Sequence, residues 1–195
     1  MMLQQTQVER VIPKYEAFIK KYPTKGKLAK APLADVLMLW QGLGYNRRAK
    51  YLWEAAKGGT KGIGPYTKAA VNVFAHNKPE VLIETNVRAV YLHHLFPNKG
   101  KVPDTEILPF VHVPKGVEPR VWYAALMDYG SYLKKTVPNP SRRSRHHTKQ
   151  SKFSGSDRQI RGAILRAVLT GKSVQGFQKS RVSALRKKLK QEGLI

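Results

Sequence analysis

Lys61-Gly62-Ile63-Gly64-Pro65-Tyr66-Thr67-Lys68 is the stretch of this sequence best suited to hold an anion. Glycines let the backbone approach a ligand closely, and N–H groups at a helix start point outward with the helix dipole behind them. Pro65 fits the first helical position, where a missing N–H costs nothing. Thr67 and Lys68 add donors. A Gly-x-Gly before a helix is also an ordinary tight turn, so the charge around it decides. Lys and Arg number 36 against 12 Asp and Glu, a formal net charge of +24. Solubility alone rarely requires such an excess, which points to a polyanionic partner. Phosphate is therefore the expected ligand of Gly62–Lys68. Glu84-Thr85-Asn86 sets a carboxylate just before another predicted helix, where Glu84 or Thr85 could simply serve as a helix cap. The pairs His93–His94 and His146–His147 do not suggest metal, because adjacent residues do not share a helix face. The chain has no cysteine, which excludes disulfides and thiolate metal sites.

These residues need elements to position them, and the apolar spacing predicts an all-α fold. Val8, Val11, Ile12, Tyr15, Phe18 and Ile19 form an amphipathic helical stripe that Pro23 and Gly26 end. Leu33, Val36, Leu37 and Trp40 mark a second helix, and 46–57 a third. Further helices are expected over 65–74, 86–95, 105–111 and 120–134. No stretch alternates as a strand would, and no apolar run approaches the roughly 20 residues of a membrane span.

The charge is unevenly spread. Residues 134–195 carry 17 basic and 2 acidic side chains, against 19 and 10 in residues 1–133. Residues 138–155 read as an irregular basic loop punctuated by Arg142, Arg143, Arg145, Lys149 and Lys152. Two helices follow, 157–169 and 180–191, spaced like a helix-turn-helix or a plain basic amphipathic pair. The expected organisation is a domain over 1–135, a basic loop over 136–156 and a basic helical tail over 157–195.

Four segments carry a resemblance: Met2-Leu-Gln-Gln-Thr-Gln-Val8, Trp40-Gln-Gly-Leu-Gly-Tyr45, Gly62-Ile-Gly-Pro-Tyr-Thr67 and Met127-Asp-Tyr-Gly130. In this order they resemble the adenine DNA glycosylases of the endonuclease III superfamily, which are helix-hairpin-helix base-excision enzymes. The likeness runs from Met2 to about Leu133. It implies the helix-hairpin-helix glycosylase fold and a duplex DNA partner holding mismatched or damaged bases. Gln4, Gln5 and Thr6 resemble the loop that enters the duplex, and Tyr45 the aromatic wedge beside the partner base. Gly62, Ile63, Gly64, Thr67 and Lys68 would grip the flanking phosphates, and Arg142, Arg143, Arg145 and Lys149 would add DNA contacts. Extruding a base costs unstacking energy, so wedge and clamp are needed together. Glu84 lies where the family has its catalytic Asp, and Asn86 matches the family's Asn. A carboxylate there stabilises the positive charge that builds on the sugar as the N-glycosidic bond breaks. Tyr66 stands where the lyase-competent branch has Lys; a phenol forms no Schiff base, which implies a monofunctional glycosylase.

The departures are as specific. The family's catalytic Glu, two residues before the Met-Leu-Gln-Gln motif, and the helix preceding it are absent from a chain that begins at Met1, which implies impaired activity. The Glu84 side chain is one methylene longer than the family's Asp. The helix between residue 57 and the hairpin, the C-terminal 8-oxoguanine-reading domain and the four cluster-binding cysteines are missing. Lys134, Ser141, Ser144 and Gln150 fall near those cysteine positions, so neither an iron–sulfur cluster nor any other cofactor or metal is expected. The reading is a monomeric DNA glycosylase, removing adenine opposite guanine or 8-oxoguanine, with no membrane association and a cytoplasmic, nucleoid-associated place in a prokaryote. The alternative is a non-catalytic DNA-binding protein on the same scaffold. An RNA- or ribosome-associated protein would rest on charge alone.

Overall fold

The computed structural model describes all 195 residues and contains helices joined by turns, with no strand beyond one isolated bridge. The helices are α1 (Val8–Lys21), α2 (Lys25–Lys30), α3 (Leu33–Trp40), α4 (Arg47–Ala56), α5 (Pro65–His76), α6 (Thr85–Leu95), α7 (Asp104–Ile107), α8 (Pro119–Thr136), α9 (Asp157–Thr170) and α10 (Lys179–Gln191). The chain divides into two compact units. One comprises Met1–Gly62 with Ser151–Ile195, the other Ile63–Gln150.

The first unit is built from both ends of the sequence. Val36, Leu37 and Trp40 of α3 are buried with Val11 and Phe18 of α1. Ile160, Ile164 and Leu165 of α9, and Leu185 and Leu189 of α10, join the same core. The helices expected as a tail over 157–195 therefore complete a core rather than hang from one. Fully burying such a side chain contributes about 1.5–3 kcal/mol. The exposed Arg181–Asp157 ion pair between the two helices adds about 0–1 kcal/mol, so apolar burial is what docks them.

Helix α1 forms as its spacing predicts, but its apolar stripe is wider than its neighbours cover. Val11 and Phe18 are buried; Val8, Ile12, Tyr15 and Ile19 are 42–55% exposed and line an apolar groove of about 580 Å³. Helix α2 was not foreseen. Thr24 starts it by accepting a hydrogen bond from the Lys27 amide, so Gly26 falls inside a helix rather than ending one.

In the second unit α6 packs on α8, and Gly130 makes that approach possible. A Cβ at Gly130 would fall 2.1 Å from the Asn86 carbonyl oxygen. Tyr123, fully buried on α8, donates its hydroxyl to the Glu80 carbonyl (2.7 Å) and accepts from the Leu82 amide (3.1 Å). This fixes the segment that leads into α6. The single helix expected over 105–111 is instead α7 followed by a 3-10 turn at Leu108–Phe110. Pro109 is the reason, since it has no N–H for an α-helical bond.

Glu192, just past α10, ties the C-terminal helices to α4 within the first unit. Arg47 of α4 donates to its Oε1 (2.5 Å), and Arg161 of α9 binds both of its oxygens. Burial alone would raise the Glu192 carboxyl, but the hydrogen bonds and charges of Arg47 and Arg161 outweigh it and hold it at about 2. Its folded value thus lies below the ordinary 4.5. The stabilisation is complete above about pH 4.5 and is lost as pH falls toward about 2. With solvent screening allowed for, about 1–2 kcal/mol is at stake. Glu192→Gln is expected to lower the melting temperature at neutral pH and to narrow the gap to wild type as pH falls through that window. Thermal unfolding across the pH series is the measurement, and a constant gap between the two proteins would contradict this role.

Candidate nucleic-acid and catalytic site

The predicted site residues fall into two groups, one in each unit. In the first unit, Gln5 and Tyr45 both adopt left-handed backbone conformations, with φ of 55° and 44°. For residues with side chains this costs about 1–3 kcal/mol each, and such strain persists only where the surroundings over-determine it. Here the surroundings are largely one residue, Arg48. Its Nη1 donates to the carbonyls of Met1 (2.9 Å), Met2 (3.0 Å) and Gln4. Its Nη2 donates to the Thr6 hydroxyl (2.9 Å) and to the carbonyls of Leu43 (3.0 Å) and Gly44 (3.2 Å). The guanidinium also lies 5.6 Å from the ring centroids of both Trp40 and Tyr45. Trp40 Nε1 donates to the Gly44 carbonyl (3.2 Å), and Arg10 reaches the Gly42 carbonyl (2.8 Å).

Arg48 is buried, and burial pulls its guanidinium below the usual arginine range, with Tyr45 acting in the opposite sense. No carboxylate faces it in this network; carbonyl dipoles balance its charge instead. The result is a rigid pair of turns that leaves Gln5 exposed, Gln4 and Thr6 half-buried and Tyr45 39% exposed. Sequence reasoning missed Arg48. No local signal marks it, because most of its acceptors lie in the distant segment 1–6.

Gly62 closes the first unit. Its φ is 75°, and a Cβ there would overlap the Tyr51 ring at 2.1 Å. Only glycine fits that turn. In the second unit Ile63 and Gly64 are exposed, and open space surrounds the position a Gly64 Cβ would take. Gly64 is the N-cap of α5, and no side chain caps that helix. Thr67 is half-buried and Lys68 exposed on its first turn.

Glu84 caps α6. Its Oε1 accepts from the amides of Asn86 (2.6 Å) and Val87 (2.8 Å), and these bonds leave Oε2 outside the cap. Tyr66, 40% exposed, is close enough to feel this carboxylate. Burial, and then the Glu84 charge, push the Tyr66 phenol above its usual range. Asn86 Oδ1 is buried with no hydrogen-bond partner. The three residues expected to carry chemistry, Tyr66, Glu84 and Asn86, thus gather around the starts of α5 and α6. The arrangement offers a fixed carboxylate, a neutral phenol and an unsatisfied amide oxygen.

The basic loop is pinned by its own residues. Arg143 turns inward, donating to the carbonyls of Leu92 (2.6 Å) and Pro97 (2.9 Å) at the end of α6. Its neighbours form the isolated bridge: the Val102 amide donates to the Arg143 carbonyl (2.8 Å) and the Arg145 amide to the Val102 carbonyl (2.9 Å). Arg143 thus anchors the loop to the end of α6 through its guanidinium. Arg142, Arg145 and Lys149 are exposed. Ser141 and Ser144, at two of the positions compared with cluster ligands, are buried. Ser141 donates to the Thr85 carbonyl (3.2 Å), and the Ser144 hydroxyl accepts from the His146 amide (3.1 Å). Hydroxyls engaged in this way, with no thiolate in the chain, do not fit an iron–sulfur cluster. His94 bonds the Tyr129 hydroxyl (2.9 Å), and His146 lies 4.0 Å from the Asp104 carboxylate.

Comparison with known proteins identifies the family. Residues 1–172 match the family model described as HhH-GPD superfamily base excision DNA repair protein. The adenine DNA glycosylase of Mycolicibacterium smegmatis is 31% identical over an alignment covering 84% of this chain and 68% of that protein. Those of Buchnera aphidicola and Homo sapiens are each 36% identical over 48% and 46% of this chain, but over only 31% and 20% of their own lengths. The chain thus spans about two thirds of the mycobacterial relative and a third or less of the other two. With a family match over most of its length, the chain belongs to the HhH-GPD superfamily of base excision DNA repair proteins.

Proposed function

We propose that the chain is a monofunctional DNA glycosylase that releases adenine mispaired with guanine or 8-oxoguanine. The observation that carries the reading is the Glu84 carboxylate, held at the start of α6 by two backbone amides beside Tyr66. The relatives named adenine DNA glycosylases support the choice of base. Positive charge develops on the deoxyribose as the N-glycosidic bond breaks, and a carboxylate already fixed in place stabilises it without reorganising. Tyr66, kept neutral, supplies a hydroxyl and no amine, so the abasic product leaves without strand cleavage. Gln5 and Tyr45 wedge the duplex, Gly62–Lys68 hold phosphate, and the exposed Arg142, Arg145 and Lys149 add phosphate contacts.

Glu84 both caps a helix and faces the proposed chemistry, and one substitution separates the roles. Glu84→Gln keeps an oxygen for the Asn86 and Val87 amides while removing the charge. It is expected to reduce single-turnover base release by about 100-fold or more, with the fold intact and DNA binding equal or tighter. Glu84→Asp, with the shorter side chain, should retain release or improve it. Release by Glu84→Gln at the wild-type rate would reduce Glu84 to a cap.

Mispair recognition has its own signature. Tyr45→Ala should weaken binding to mispaired duplex by about tenfold, and to fully paired duplex much less, because a wedge acts only when a base leaves the stack. Arg48→Lys should do the same, since one ammonium group cannot reach the acceptors that hold Gln5 and Tyr45. Competition binding with the two duplexes measures both; equal losses on each would place these residues in folding or general affinity.

A further inference from the structure

Helix α10 carries six basic residues and no acidic one, and the base-excision reading gives them no task. The family match ends at residue 172, before this helix begins. We propose that the outward face of α10 is a second, sequence-independent contact for duplex DNA, made to phosphates by Lys179, Arg186, Lys187 and Lys190.

The helix is amphipathic and its apolar side is already used. Leu185 and Leu189 are buried in the first unit's core and Val182 is half-buried. No apolar face is left to lie in a lipid surface, which a membrane-bound amphipathic helix requires. Lys179, Ser183, Arg186, Lys187 and Lys190 recur at helical spacing on one exposed face. At about 1.5 Å per residue this row is about 16 Å long. Duplex DNA presents about one negative charge per 1.7 Å of axis, so a row of that length meets several phosphates.

Two carboxylates lie close to the helix, and both are already engaged. Asp157 pairs with Arg181 (2.5 Å), and Glu192 with Arg47 and Arg161. Neither is directed at the four cations of the row. The same ties keep α10 in place, so little ordering entropy is lost when it binds. The connection from α9 spans residues 171–178, longer than the about three or four residues of a helix-turn-helix. That favours phosphate contact over the insertion of a recognition helix that reads base edges.

The inference rests on the chain acting on duplex DNA, but not on Glu84 performing chemistry. The test is equilibrium binding of the full chain to a fully paired duplex between about 50 and 200 mM salt. Substituting Gln at Lys179, Arg186, Lys187 and Lys190 together should flatten the log–log salt slope by about 3 and weaken binding roughly tenfold or more. The pair Arg186→Gln and Lys187→Gln should give about half that change and serves if the fourfold variant misfolds. An unchanged slope in a folded variant overturns the proposal, as does a loss confined to one DNA sequence. Tighter binding of wild type to single-stranded RNA of equal length, lost in the same variants, would assign the face to RNA and also overturn it. The duplex contains no lesion, so a chain that releases no base still shows the slope change if the proposal holds.

Discussion

Gln5 and Tyr45 are held in backbone conformations that side-chain-bearing residues avoid, and one buried guanidinium secures both turns. Arg48 spans five carbonyls and a hydroxyl drawn from residues 1–6 and 43–44. A neutral hydrogen bond contributes about 0.5–1.5 kcal/mol net, and one involving a charged group about 1.5–3. The two terminal nitrogens share their four N–H groups among these six acceptors, and bonds of that strength are comparable to the roughly 1–3 kcal/mol of strain at each turn. The loop before α1 and the turn before α4 thereby become one rigid body. In the proposed reading, that rigidity is what keeps Tyr45 from bending away when it meets a base pair.

The second unit solves a related problem with a carboxylate. Glu84 is fixed by the amides of the helix it starts, so its position depends on α6, and α6 depends on its close approach to α8 at Gly130. The basic loop is fixed to the same helix from its other end by Arg143. One helix thus connects the proposed catalytic group with the loop that carries Arg142, Arg145 and Lys149. Backbone carbonyls serve as the anchoring points in both units, which lets basic side chains, so abundant here, do structural work without acidic partners.

The periodic apolar positions made the longer helices legible, and Gly-Ile-Gly-Pro made the hairpin legible, because these signals are local. Gly130 was legible only as the end of Met127-Asp-Tyr-Gly130, because the reason for a glycine there, the Asn86 carbonyl, lies on another helix. Arg48 was not legible. Its acceptors lie up to 47 residues away, and no local pattern distinguishes it from its exposed neighbour Arg47. Arg143 was similarly hidden among arginines that do face outward. The placing of α9 and α10 was missed because their charge suggested an appendage, while Ile160, Ile164, Leu165, Leu185 and Leu189 were complementing the N-terminal core. On α1 the spacing gave the helix but not how much of its stripe its neighbours would cover.

The central claim is that this scaffold breaks an N-glycosidic bond. Its most direct measurement is the release of free adenine, in single turnover, from a duplex holding adenine opposite 8-oxoguanine. The account predicts that adenine appears while the strand stays intact until alkali is added, since Tyr66 offers no amine. Tight binding to the same duplex, with no base released from it or from any other mispair, would contradict the account and leave a DNA-binding protein on a glycosylase scaffold.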